Sequence, residues 1–226
     1  MPVTPLTAKS ERTRQRILDA ALALFVEKGF AATTMRDIAA HADVSLGLTY
    51  RYFARKEELA VALYVEMNTR LKDVAFGLHG GTVAQRFETL MRATIEHLDR
   101  HREAFLAVAA RAFDSHDDIG VLGSATEPIR ASARHSWEVL VEGADDAPRS
   151  PQLRVRLADA LYAADLLVVL VWTQDRSPDR AATREAITAT VQFLAMTRPF
   201  LETPFGDVAL AQVASIAGRL GIGREG

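Results

Sequence analysis

Residues 33–56, TTMRDIAAHADVSLGLTYRYFARK, constrain the fold more tightly than any other stretch, because they spell two short helices joined by a tight turn. Thr34 is suited to cap the first helix, its hydroxyl accepting an early backbone N–H. Ile38 and Ala39 give that helix a small apolar face, and Ala42-Asp43-Val44 breaks the pattern. Ser45 caps a second helix, Leu46 to about Arg51, which carries Gly47, Thr49, Tyr50 and Arg51 and leads through Tyr52 to Phe53. Two short helices, the second rich in groups that reach phosphates and base edges, are what a helix-turn-helix reader of double-stranded DNA requires.

Charge supports that reading. The formal net charge of the 226-residue chain is −2, yet residues 1–56 hold nine Lys/Arg against five Asp/Glu. A basic head on an acidic body places only the head against a polyanion. Hydrophobic residues make up 49% and charged residues 25%, the balance of an ordinary soluble globular protein. The absence of cysteine excludes disulfides, thiolate metal sites and a cysteine nucleophile. The N-terminus lacks an apolar core of signal-peptide length, and the longest aliphatic run, Leu166 to Trp172, is too short to span a bilayer. A cytoplasmic location with no membrane partner is expected.

Apolar spacing is helical throughout, so the expected fold class is all-α, with about nine to ten helices and no sustained period-two alternation. Ile17, Ala20, Ala21, Leu24 and Phe25 mark a first helix from about 11 to 28, stopped at Gly29. After the two short helices, Leu59, Ala62, Leu63, Met67, Leu71 and Val74 stripe a long helix over about 57–75. Further helices are expected at 82–98, 103–113, 126–142, 152–174 and 180–201, with a weaker one around Val208, Val213, Ile216 and Leu220. The domains expected are a flexible arm at 1–9, a helix-turn-helix domain at 10–56, and a helical effector-binding and dimerisation domain at 57–226.

Residues 14–67, RQRILDAALALFVEKGFAATTMRDIAAHADVSLGLTYRYFARKEELAVALYVEM, resemble the TetR family of bacterial one-component transcription regulators. The joint spacing carries the resemblance: a helix, Gly-Phe, a Thr-capped helix, Val-Ser-x-Gly, Tyr-x-Tyr-Phe, then Lys-Glu-Glu-Leu. It implies that Thr34 and Lys56 hold phosphates near helix starts and that Tyr50 and Tyr52 offer phenolic O–H groups to the DNA backbone. Ser45, Leu46, Gly47, Leu48 and Arg51 would then meet the major groove. Arg51 is suited to bidentate readout of a guanine, worth roughly 1–3 kcal/mol of discrimination. Arg36 would touch phosphate or base, and Lys9, Arg12 and Arg14 would trail along the backbone. The chain departs from the family pattern at Asp43 (usually Gly), Leu46 (often Lys) and Thr49 (usually a larger aliphatic). Asp tolerates positive φ, which preserves the turn. Phe53 reads as core and Arg55 as a solvated charge.

The resemblance further implies a homodimer and a small-molecule effector. Paired readers must sit roughly 34–36 Å apart, one turn of DNA. Leu166, Val169, Trp172, Ile187, Val191 and Leu194 are the candidate dimer seam, from two helices rich in apolar residues. Phe87, Met91, Thr94, Ile95, Leu98, Phe105, Trp137 and Tyr162 are the candidate pocket lining, suited to a largely apolar ligand. Ligand binding would act through the long helix at 57–75 to favour a DNA-incompetent state, which makes a repressor the expected activity.

No cofactor, metal or catalytic residue is indicated. His97 and His101 share a helix face at i, i+4, a spacing that can hold zinc, but no third ligand is specified and a pair of partly exposed histidines accounts for them. The loop Asp114 to Asp118 is acidic but lacks a calcium-loop pattern. There is no GxSxG, phosphate-binding glycine loop or dinucleotide fingerprint, so an enzyme is disfavoured. The alternative kept is a helical interaction or ligand-binding module that no longer reads DNA.

Overall fold

The computed structural model describes residues 7–112, 126–220 and 222, and the acidic loop at 114–118 lies outside them. Among the described residues there are ten α-helices and no strand: α1 (Ala8–Ala32), α2 (Met35–His41), α3 (Leu46–Tyr52), α4 (Lys56–Gly77), α5 (Val83–Arg100), α6 (Arg102–Ala112), α7 (Glu127–Glu142), α8 (Pro151–Gln174), α9 (Ala181–Thr197) and α10 (Pro204–Arg219). The all-α expectation holds. Three boundaries differ from the sequence reading, each for a local reason. Thr7 caps α1 by accepting from Ser10 N–H, so the helix starts earlier and Lys9, Arg12 and Arg14 are helical rather than part of a trailing arm. Gly29 interrupts α1 with φ 80°, ψ 157°, and the chain resumes helical geometry to Ala32. Pro199 ends α9 in a 3₁₀ turn, Arg198–Phe200.

The described residues fall into two compact units, one within 1–66 and 101–126, the other within 67–100 and 127–226. The division lies inside α4, not at the expected 56/57 boundary, and α6 packs with α1. The reason is burial. Leu59, Ala60 and Leu63 of the first turns of α4 are core residues, and Tyr64 meets Phe105 edge-on with ring centroids 6.4 Å apart. Ile17, Leu18, Phe25, Ile38 and Phe53 complete this first core, as the apolar spacing predicts.

The second unit packs α7 against α8, α8 against α9 and α10, and α5 against α9. Phe87, Leu90, Met91, Leu98, Trp137, Leu140 and Trp172 are fully buried there. Burial of one such side chain contributes about 1.5–3 kcal/mol. Its register follows from cross-helix contacts. The start of α5 meets the end of α7, where Arg86 Nε donates to Leu140 O (2.8 Å) and Phe87 packs on Trp137 (5.5 Å between centroids). The ends of α5 and α8 meet where Trp172 Nε1 donates to Asp99 Oδ1 (2.8 Å). Hence α5 and α8 run in one direction and α7 runs against both.

Candidate nucleic-acid interface

Local hydrogen bonding sets the two reader helices. Thr34 and Asp37 form a capping box on α2: Asp37 N–H donates to Thr34 Oγ1 (3.2 Å), and Thr34 N–H donates to Asp37 Oδ2 (2.9 Å). Thr34 Oγ1 also donates to Asp37 Oδ2 (2.8 Å), and Lys28 Nζ lies 3.0 Å from the same oxygen. The Thr34 hydroxyl, then Lys28 and the Thr34 N–H, hold this carboxyl down at about 2. With its proton committed to Asp37, the Thr34 hydroxyl serves as cap; donating to a phosphate requires breaking that bond.

The turn rests on Asp43 at φ 52°, the positive-φ position expected of it. Val44 N–H returns to Ala39 O (3.0 Å) and closes the turn. Ser45 then caps α3 by accepting from Leu48 N–H (3.2 Å). Thr49 is fully buried and donates its hydroxyl to Ser45 O (3.2 Å), so the departure from a larger aliphatic is absorbed as a core hydroxyl with a backbone partner.

The outer face of the motif carries most of the sequence candidates. Arg36, Ser45, Gly47, Tyr50 and Arg51 are exposed, and Leu46 and Leu48 are half-buried. A Cβ built on Gly47 meets nothing within 4 Å, so its surface is open. Tyr52 is half-buried and shares a hydrogen bond with Ser10 Oγ (2.8 Å), which fixes the phenol against α1.

Lys56 has a different place from the one expected. Its ammonium donates to Phe30 O (2.8 Å), Ala31 O (3.1 Å) and Thr33 O (3.1 Å), and sits 4.7 Å from the centre of the Phe30 ring. An ammonium has three N–H groups, and here all three go to the carbonyl end of α1. Arg14 likewise lies over the Phe53 ring, 5.2 Å from its centre. Sequence reasoning missed both because their partners are distant backbone or a ring across the unit.

Comparison with known proteins matches this geometry. The model for bacterial regulatory proteins of the tetR family matches residues 17–63, the segment from α1 through the two reader helices into α4. Over that segment the chain is similar to the TetR family. The HTH-type transcriptional repressor KstR of Mycolicibacterium smegmatis is 35% identical over 124 residues, 51% of this chain and 60% of the relative. The repressor KstR2 of Rhodococcus jostii is 31% identical over 137 residues, 60% of each chain. Alignment therefore spans about three fifths of these relatives. A putative TetR-family regulator from Syntrophomonas wolfei shares the fold at TM-score 0.66 and 21% identity, over 82% of this chain and 96% of that one.

The second unit holds seven of the eight pocket candidates. Phe87, Met91, Ile95, Leu98, Trp137 and Tyr162 are buried and Thr94 is half-buried; Phe105 belongs to the first unit. A cavity of about 10 Å³, room for one water, is lined by Leu71, Val74, Thr94 and Leu98 among others. Among the described residues of this unit, Asn68 Oδ1, Thr94 Oγ1, Trp137 Nε1 and Asp165 Oδ1 are buried polar atoms without a hydrogen-bond partner.

The seam candidates divide. Trp172 and Ile187 face inward and are fully buried, so they are core, not seam. Leu166, Val169, Val191 and Leu194 are half-buried. On α8 and α9 the exposed large apolar residues are Leu167, Leu170, Val171, Phe193 and Met196, with Phe200 just beyond α9. In α8 the run from 166 to 172 is apolar on every side, so spacing alone did not separate outward from inward positions. Among the described residues no group of three or more His, Asp or Glu is placed to hold a metal ion. No described helix is long and apolar enough to cross a membrane.

Proposed function

We propose that this protein is a TetR-family, sequence-specific DNA-binding transcriptional repressor, a homodimer in the cytoplasm that a small-molecule effector releases from its operator, and a binding protein rather than a catalyst. The observation that carries the reading is the outer face of the capped α2–turn–α3 motif, with Arg51, Tyr50, Ser45 and open Gly47 exposed together. Arg51 reads a base edge, Tyr50 and Arg36 engage the backbone, and Tyr52 holds α3, and Lys56 the start of α4, against α1 so that the readers are presented without a conformational cost at binding.

The dimer seam is the exposed apolar face of α8 and α9. Phe193 at 65% and Met196 at 73% exposure are large apolar side chains that water solvates poorly, and a second copy buries them. The effector enters among the second unit's side chains. A drug-sized ligand needs several hundred Å³, far more than the cavity beside Thr94, so binding must widen the space against residues 67–77 of α4. That same helix begins at Lys56, which gives ligand binding a covalent route to the reader motif. The effector must bind the two states unequally to shift them.

The test is fluorescence anisotropy with DNA flanking the protein's own gene, against scrambled DNA, at two salt concentrations. Tight binding that prefers the flanking DNA and weakens steeply with salt supports the reading. Equal binding to both DNAs by a folded dimer overturns it. Analytical ultracentrifugation of Phe193→Glu tests the seam, with a shift from dimer to monomer expected; an unchanged dimer places the seam elsewhere.

A further inference from the structure

Asp165 is a buried carboxyl for which the described residues supply no counter-charge. It lies mid-way along α8 at 6% exposure, its Oδ1 has no hydrogen-bond partner, and no described cation neutralises it. Arg130 and Arg134 both pair with Glu127 (2.6 and 2.7 Å), and Arg134 opposes the burial of Asp159. The mid-helix position also places Asp165 beyond the first and last turns, where the helix dipole acts. A carboxylate held this way is costly unless something supplies a charge and N–H donors.

Two further orphan oxygens share its level in the second unit. Asp165 is seven residues, two turns, before Trp172, whose indole meets Asp99 at the end of α5. Two turns back along α5 from Asp99 lie Met91 to Ile95, which brings Thr94 to this level. Counting along α7 from the Phe87–Trp137 contact reaches Ile129 to Ala133, and Asn68 Nδ2 donates to Ile129 O (2.6 Å). Asn68 Oδ1 and Thr94 Oγ1 are thus buried at the same height as Asp165 Oδ1, all three without a partner. All three can accept a hydrogen bond, and one of them is chargeable. An alkylammonium offers one positive charge and three N–H donors, the complement of that set. One turn nearer the start of α5, the unpartnered Trp137 Nε1 is a donor for a hydroxyl or carbonyl further along the same ligand. Phe87, Met91 and Leu98 supply the apolar wall for its carbon chain.

We propose that the effector is a primary alkylamine bound as its ammonium, with Asp165 as counter-ion and Asn68 and Thr94 as further acceptors. The inference rests on the effector-binding reading above and names the chemical class of its ligand. Neutral apolar molecules and anions of equal size are rejected, because they leave the carboxylate buried and unpaired.

The probes are n-alkylammonium chlorides from butyl to decyl and the n-alkanols of matching length, titrated calorimetrically into the full chain at pH 8. The expected result is an ammonium of some length binding at least tenfold more tightly than its alkanol, with the preference lost in Asp165→Asn and reduced severalfold in Thr94→Val. Thermal melts establish that both variants are folded. A second readout needs no variant: at pH 6, titration in buffers of different ionisation enthalpy should show proton release with the ammonium and none with the alkanol. Alkanol binding as tight as ammonium binding, undiminished ammonium preference in folded Asp165→Asn, absence of proton release, or binding of no ammonium in the series each overturns the proposal. Operator binding by the wild-type chain, measured separately by anisotropy, keeps the two readings apart. DNA preference without ammonium preference sinks the ligand class alone. Ammonium preference without DNA preference leaves the site standing and sinks the regulator.

Discussion

Lys56 in the first unit and Asp165 in the second are both charged groups drawn off the surface, and they are treated in opposite ways. The Lys56 ammonium meets three carbonyls at 2.8, 3.1 and 3.1 Å and the face of Phe30. The Asp165 carboxylate is more deeply buried and has an oxygen with no partner at all. The first arrangement fixes the angle between α1 and α4 and so presents α2 and α3 in one orientation. The second stores an unmet demand. On the proposed reading, rigidity serves a surface that must match a fixed duplex, and unsatisfied polarity serves a site that receives a ligand.

The largest effect expected from breaking this contrast is at Asp165. Burial pushes its carboxyl up from 3.8 to about 7. Between these values the folded chain keeps a proton that the unfolded chain has lost, so stability falls as pH rises from about 4 through about 7. At about 1.4 kcal/mol per pKa unit, the penalty above pH 7 is up to about 4 kcal/mol. Asp165→Asn should therefore be more stable than wild type at pH 8 by a few kcal/mol and should lose that slope. Urea melts at pH 5 and pH 8 check it; an equal or lower stability for the variant at pH 8 would mean that Asp165 is already compensated.

Lys56→Met keeps the aliphatic stem and removes the three donors. A loss of about 2–3 kcal/mol in stability is expected, because carbonyls at the end of α1 lose a charged partner. The same variant should weaken operator and scrambled DNA alike, through a looser reader, whereas a phosphate ligand would show itself as a change in salt dependence. Comparing the slope of log affinity against log salt separates the two roles.

Arg51→Ala leaves packing untouched, since the side chain is exposed. Operator preference should fall by about 1–3 kcal/mol, roughly five- to 150-fold, while the dimer and its melting temperature are unchanged. Loss of preference together with loss of the dimer would show that Arg51 acts structurally.

What was legible in the sequence follows from the range of the interactions involved. The reader motif was legible because Thr34, Asp43 and Ser45 act on backbone within a few residues of themselves. Helices were legible from apolar spacing, and Phe53 and the core stripe of α1 fell where spacing put them. Lys56 and Arg86 were not, since their acceptors are main-chain carbonyls 23 to 54 residues away or on neighbouring turns that no side-chain pattern encodes. Of the residues expected at a seam, Trp172 and Ile187 turn inward, while Leu167, Phe193 and Met196 turn out. A stripe that is apolar all round states that a helix is buried and leaves its orientation to the neighbours.

The smallest effect expected is at the cap, and it tests how local the first unit's order is. Thr34→Ala removes the hydroxyl that satisfies Asp37 N–H and donates to Asp37 Oδ2. N-cap losses of this kind cost about 1 kcal/mol. The folded Asp37 carboxyl sits at about 2, below its ordinary 3.8, with the Thr34 hydroxyl as the largest cause. The stability this gives is present above about pH 4 and is lost as pH falls toward 2. In the alanine variant that acid-side fall should shrink, leaving Lys28 and the backbone N–H as the remaining partners. If α2 is held by its own cap, operator affinity should drop together with stability, since Arg36 and the turn to Ser45 hang from the same turn of helix. If the packing of Ile38 and Ala39 on α1 holds α2 in place without the cap, stability will fall while operator affinity stays constant, and the order of the reader will have to be assigned to its core.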